Sequence, residues 1–140
     1  MSRVFWDTNL FIYLFEDYGA LSNAVAELRS KMLDRGDQLL TSALTLGEIL
    51  VKPTERGDSE LCRTYERAIS TAATIIAFDV KAAKAYATLR RERAIKAPDA
   101  IQLACAASAS VDLFVTNDER LQGEHVEGIQ FIVPLARAPI

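Results

Sequence analysis

Five acidic residues sit where a folded chain gives a carboxylate a use: Asp7 after the apolar run RVFW, Glu48 in ALTLGEILVK, Asp79 after TIIAF, Asp99 in KAPDAIQLACA and Asp118 in LFVTNDERL. Carboxylates gathered in one place repel by about 4 kcal/mol per close pair at an effective dielectric near 20, so a cluster must hold protons or a cation. An all-oxygen set without His or Cys selects a hard divalent ion, Mg²⁺ or Mn²⁺, over Zn²⁺. Such an ion neutralises phosphate oxygens, lowers the pKa of a bound water and aligns it for in-line attack. The chemistry expected of the set is phosphodiester hydrolysis.

Acids so far apart in sequence need elements that bring them to one edge. RVFW reads as a strand, followed by a short helix through NLFIYLF. Leu21, Val25, Leu28 and Met32 step at helical spacing, with Gly36 as the stop. QLLTS is a short strand, and ALTLGEILVK is helical until Pro53 ends it. The loop PTERGDS leads to a helix over ELCRTYERAIS, then a strand TIIAF, a helix from Asp79 to about Ala94, and a helix opened by Pro98 and Asp99 with Ala97 held extended. LFVT and FIV are the last strands, with a helical turn DERLQ between them. Strands alternating with helices predict an α/β sandwich with a mainly parallel central sheet covered on both faces. In such sheets the ligand site lies at the carboxyl ends of the strands.

Each acid also has an ordinary structural explanation. Asp7 and Asp118 suit strand-end turns or helix caps, Asp79 and Asp99 suit the first turn of a helix, and Glu48 suits an ion pair with Lys52 one turn on. For Asp79 the first-turn reading is sufficient. The other four are favoured as a site by what surrounds them. Gly47 in a helix costs about 1 kcal/mol relative to Ala, which suggests close backbone approach near Glu48. Asn9 and Asn117 add neutral oxygen ligands or hydrogen-bond donors at two strand ends.

Taken in order and spacing, FWDTNLFIYLF, TSALTLGEIL, KAPDAIQLACA and FVTNDERL resemble the PIN-domain ribonucleases, especially the VapC-type toxins of VapBC toxin-antitoxin systems. The resemblance covers essentially the whole chain and implies a PIN-like three-layer α/β/α sandwich. It implies a metal-dependent endoribonuclease, the toxin of a type II pair, in which Asp7, Glu48, Asp99 and Asp118 hold Mg²⁺ or Mn²⁺. Thr116 and Asn117 match the usually polar residues before the last acid. The resemblance further implies a homodimer inhibited by a cognate VapB-type antitoxin. The enzyme alternative is a phosphohydrolase of the haloacid dehalogenase type, which expects a second Asp where this chain has Asn9. The non-enzymatic alternative is a protein-binding α/β module.

Composition sets the remaining bounds. The 140 residues suit one domain, 1–140, with a proper core. No apolar run approaches the roughly 20 residues of a membrane helix, and the N-terminus lacks the layout of a signal peptide, so no membrane association and a cytoplasmic location are expected. Cys62 and Cys105 read as reduced packing residues, and the lone His125, in a polar turn, cannot supply a histidine pair. A net charge of −3 argues against binding nucleic acid by bulk attraction. An RNA substrate needs a local basic surface, and Lys81, Lys84, Arg90, Arg91, Arg93 and Lys96 against Glu92 form a basic run leading to Asp99. That run is either a phosphate-contacting edge, with Arg90, Arg91, Arg93 and Lys96 nearest the acid, or a solvated helix face.

Overall fold

A computed structural model describes residues 1–92 and 94–140. Along the chain run β1 (Arg3–Trp6), α1 (Thr8–Phe15), α2 (Ala20–Arg35), β2 (Gln38–Ser42), α3 (Ala43–Glu55), α4 (Ser59–Ala72) and β3 (Thr74–Ile76). They are followed by α5 (Val80–Leu89), α6 (Ala97–Ala109), β4 (Val111–Val115), β5 (Ile129–Val133) and a 3₁₀ turn at Leu135–Arg137. The five strands form one sheet in the order β3-β2-β1-β4-β5, and every ladder is parallel.

Alternation along the strands divides the core between the two sheet faces. Val4 and Trp6 of β1 join Leu113 and Val115 of β4 on one face, under Leu10 and Phe11 of α1, Val25, Leu28 and Met32 of α2, Ile49 of α3 and Ile69 of α4. Phe5 and Phe114 face the other way and pack with Ala82 of α5 and Ala100, Leu103 and Ala106 of α6. Their rings stack at 5.1 Å and are paired in the β1–β4 register. The result is a three-layer α/β/α sandwich, as expected from the sequence.

The strand order sets the place of a site. From β1 the chain moves outward to β2 and β3, then crosses to the opposite side for β4 and β5. The strand order therefore reverses between β1 and β4, and at such a switch point the connections leave a crevice beyond the strand carboxyl ends. Asp7 follows β1 and Thr116 follows β4 directly.

Several boundaries differ from expectation. Pro53 does not end α3: it lies inside the last turn, where only the bond to the Ile49 carbonyl is forgone, and the helix closes with Arg56 N–H on Lys52 and Gly57 in the left-handed region. α5 stops at Leu89, short of Ala94, and the chain turns so that Ile95 enters the core with Ala100 and Leu103. α6 begins one residue early, at Ala97, with Lys96 as the extended cap residue. DERLQ forms successive turns rather than a helix. A Cβ on Gly47 would meet nothing within 4 Å, so the expected close backbone approach there is absent.

Candidate active site

Asp7 caps α1 and is buried. Its Oδ1 accepts from the Thr8 N–H at 2.8 Å and its Oδ2 from the Thr116 hydroxyl at 2.7 Å. The Thr116 Oγ in turn accepts the Asp118 N–H at 3.0 Å, so one buried threonine at the end of β4 connects the first and last acids. Glu48, on the exposed side of α3, accepts the Thr8 hydroxyl at 2.6 Å, and the ion pair with Lys52 that its spacing suited does not form. Asp99 occupies the first turn of α6. Asp118 is gripped by Arg120: Nε donates to Oδ1 at 2.9 Å and Nη2 to Oδ2 at 2.6 Å, while the same Nη2 reaches Asp99 Oδ2 at 3.5 Å.

Gln102 organises the interior of this arrangement. It stands three residues after Asp99, one helical turn on, and is only 2% exposed. Its Nε2 donates to Thr45 Oγ1 at 2.8 Å and Thr8 Oγ1 at 2.9 Å, and lies 3.3 Å from Asp7 Oδ1. Its Oε1 accepts from the Ser42 hydroxyl. The negative oxygen of Asp7 fixes the amide orientation, since the flipped form would set Oε1 against it. The Thr41 hydroxyl faces both the Trp6 carbonyl and Thr45 Oγ1, donating towards each at 2.9 Å, and the same Thr45 oxygen accepts from Gln102. Gln102 therefore leaves the Thr8 hydroxyl proton directed at Glu48.

The electrostatics join the four acids into one group. Burial is the main influence on Asp7 and raises its carboxyl above the ordinary value; the Thr116 and Thr8 hydrogen bonds oppose the rise, and the charges of Asp99 and Glu48 add to it. Asp99 is raised by burial and then by the Asp118 charge, against the pull of Arg120 and Lys96. Asp118 is held below the ordinary value, chiefly by the Arg120 side-chain hydrogen bond.

Among the described residues no three His, Cys, Asp or Glu side chains form a ready-made metal cage. The donors nonetheless fit a hard cation: all are carboxylate oxygens, they repel one another in the chain Glu48–Asp7–Asp99–Asp118, and a cationic group, the Arg120 guanidinium, already lies between the last two.

The other expected residues fall differently. Asn117 Oδ1 accepts the Leu135 N–H at 3.1 Å, bracing the C-terminal turn rather than offering an oxygen to the acids. Asn9 Oδ1 is buried without a partner among the described residues. Lys96 is near enough to act on both Asp99 and Asp118. Arg90 is tied to the Ile95 carbonyl at 3.3 Å, Arg91 is exposed, and Arg93 lies outside the described residues. Asp79 caps α5 through the Ala82 N–H, one position before the first turn expected of it, and its role is local. His125 is exposed, and the cysteines are free. The sequence reading missed Thr8, Gln102 and Arg120. Of these Gln102 carried a signal: it is the one long polar side chain in the uncharged run after Asp99.

Comparison with known proteins bears on the fold and the family. The chain is similar to one from a toxin-antitoxin complex of Klebsiella pneumoniae, at 25% identity, a TM-score of 0.64, and coverage of 90% of this chain and 94% of that one. It is also similar to chains from VapBC2 of Rickettsia felis bound to a promoter DNA fragment (15% identity, TM-score 0.74, 94% and 97% covered) and DNA-bound VapBC of Salmonella typhimurium (20%, 0.73, 96% and 99%). No curated protein sequence matches the chain. The PIN domain family model matches residues 4–123, a span that contains all four acids, and the chain belongs to the PIN domain family rather than to the haloacid dehalogenase type.

Proposed function

We propose that residues 1–140 act as one PIN-like unit, a metal-dependent endoribonuclease that is the toxin of a type II toxin-antitoxin pair. The observation that carries this reading is the convergence of Asp7, Glu48, Asp99 and Asp118, from four separate elements, on the switch point of a PIN-family sheet. Those four residues would hold Mg²⁺ or Mn²⁺, which when bound supplies charge neutralisation of the scissile phosphate and a more acidic water.

The chain's own residues supply orientation. Thr8 and Thr116 fix both oxygens of Asp7, and Gln102 fixes Thr8. Glu48 is held at Oε1 by the Thr8 hydroxyl while no described residue donates to its Oε2, which can accept a proton from the attacking water. Lys96, exposed at the start of α6, supports a phosphate contact beside Asp99; Arg90, tied to a backbone carbonyl, is less available for one.

Partners follow the same reading. The similar chains from Klebsiella, Rickettsia and Salmonella come from toxin-antitoxin complexes, which supports a VapB-type antitoxin as partner, and we infer a homodimer on the same family grounds. A cavity of about 300 Å³ lined by Ile12, Phe15, Ile49, Lys52, Arg56 and Tyr65 adjoins Glu48 and suits an amphipathic antitoxin segment. No described helix is long and apolar enough to cross a membrane.

The test is incubation of the purified protein with total bacterial RNA in Mn²⁺ or in EDTA. Discrete cleavage in Mn²⁺, lost in EDTA and in Asp99→Asn, is the expected result. Equal cleavage in EDTA would overturn the metal requirement, and no cleavage by either protein would favour a binding module.

A further inference from the structure

The arginine two residues past the last acid is placed as a cation of the site. Arg120 meets both Asp118 oxygens in a fork, at 2.9 and 2.6 Å, and its Nη2 extends to Asp99 Oδ2 at 3.5 Å. Its backbone N–H also holds Asp118 Oδ1, at 3.0 Å, so acid and base are closed into one tight turn. Three of the four oxygens of Asp99 and Asp118 are thereby engaged by a group of the chain itself.

We infer that Arg120 is a built-in counter-cation, which neutralises Asp99 and Asp118 while no divalent ion is bound and must leave them for the ion to enter, so that it sets the metal concentration at which the site assembles. This inference rests on the metal-dependent reading above. Both acids offer the oxygens that an ion would need to the guanidinium, so the two cations compete for the same lone pairs. Release requires no refolding: the Arg120 side chain is 56% exposed and stands on a turn rather than in a helix or strand. The fork geometry matters as well as the charge, because a lysine ammonium offers no planar pair of donors to a carboxylate. A protein in which the ion-competent arrangement is a minor population binds its ion more weakly by that fraction, and removing the competitor restores the affinity.

The experiment is calorimetric titration of the purified full chain with Mn²⁺ alone, in the wild type, Arg120→Gln, Arg120→Lys and Asp7→Asn, with circular dichroism confirming that each is folded. Arg120→Gln is expected to bind Mn²⁺ about tenfold more tightly than the wild type, and Arg120→Lys to fall between them. In a second readout, the Arg120 Nε–H resonance of the wild type, protected in the ion pair, should lose its protection on saturation with Mg²⁺. Equal or weaker binding by Arg120→Gln, or an unchanged Nε–H signal at saturating Mg²⁺, overturns the role of Arg120. If Asp7→Asn abolishes binding while Arg120→Gln matches the wild type, only the role of Arg120 falls. If Mn²⁺ binds none of the proteins, or binds Asp7→Asn as tightly as the wild type, the metal-dependent reading falls with it.

Discussion

The hydroxyl of Thr8 donates to the carboxylate of Glu48 at 2.6 Å across 40 residues of sequence, joining the carboxyl end of β1 to the exposed side of α3. The same oxygen accepts from Gln102, so the proton order through Gln102, Thr8 and Glu48 is set by one buried amide. Thr8→Val keeps the shape and removes both bonds. Its turnover of RNA should fall roughly ten- to hundredfold, as for other residues that orient a ligand, with KM little changed and Thr8→Ser restoring the rate. Steady-state cleavage of a defined RNA gives this comparison; a rise in KM with turnover unchanged would contradict it.

Gln102→Leu removes the amide but leaves Ser42, Thr45 and Thr8 facing an apolar side chain in the interior. Buried polar groups left unpaired destabilise a fold, here by about 2–3 kcal/mol. Urea unfolding should show a lower midpoint at an unchanged slope.

Burial raises the carboxyl pKa of Asp7 in the folded state, so ionising it there costs stability. A raised carboxyl binds its proton more readily folded than unfolded, so its stabilising contribution is present at low pH and is lost as pH rises through the folded-state value. In EDTA at neutral pH, Asp7→Asn should therefore melt above the wild type, although in Mn²⁺ it is inactive. The gap should narrow as the pH is lowered towards the ordinary aspartate range, which thermal melts across that range will show.

Lys96 acts on both Asp99 and Asp118 and is exposed. If it contacts a phosphate, Lys96→Ala should weaken RNA binding to catalytically inactive Asp99→Asn protein and lower the salt slope of binding by about one. An unchanged slope would leave Lys96 as a charge acting on Asp99 and Asp118 alone.

What was legible in the sequence follows from how local each signal is. Asp7, Asp99 and Asp118 stand out because each ends a strand or opens a helix within a few residues of an apolar run, and the alternation of β1 and β4 sets the two core faces. The connections among the acids were not legible, because Gln102 meets Ser42 and Thr45 from 60 and 57 residues away, and small polar residues at a strand end look alike in sequence. Arg120 was overlooked because its role depends on which way its side chain turns. Gly47 gives no local sign of its surroundings: its helix position faces open space where a glycine in a helix suggests a close contact. Pro53 misled because a proline in a final helical turn forgoes one bond without stopping the chain.

The most direct test of the central claim is induction of the protein in a bacterial host, with sequencing of all new 5′-phosphate RNA ends beside an Asp99→Asn control. The four-acid site predicts new, discrete ends with the native protein and none with the variant. The same ends from folded Asp99→Asn, or no new ends from folded native protein, would contradict a carboxylate-dependent endoribonuclease.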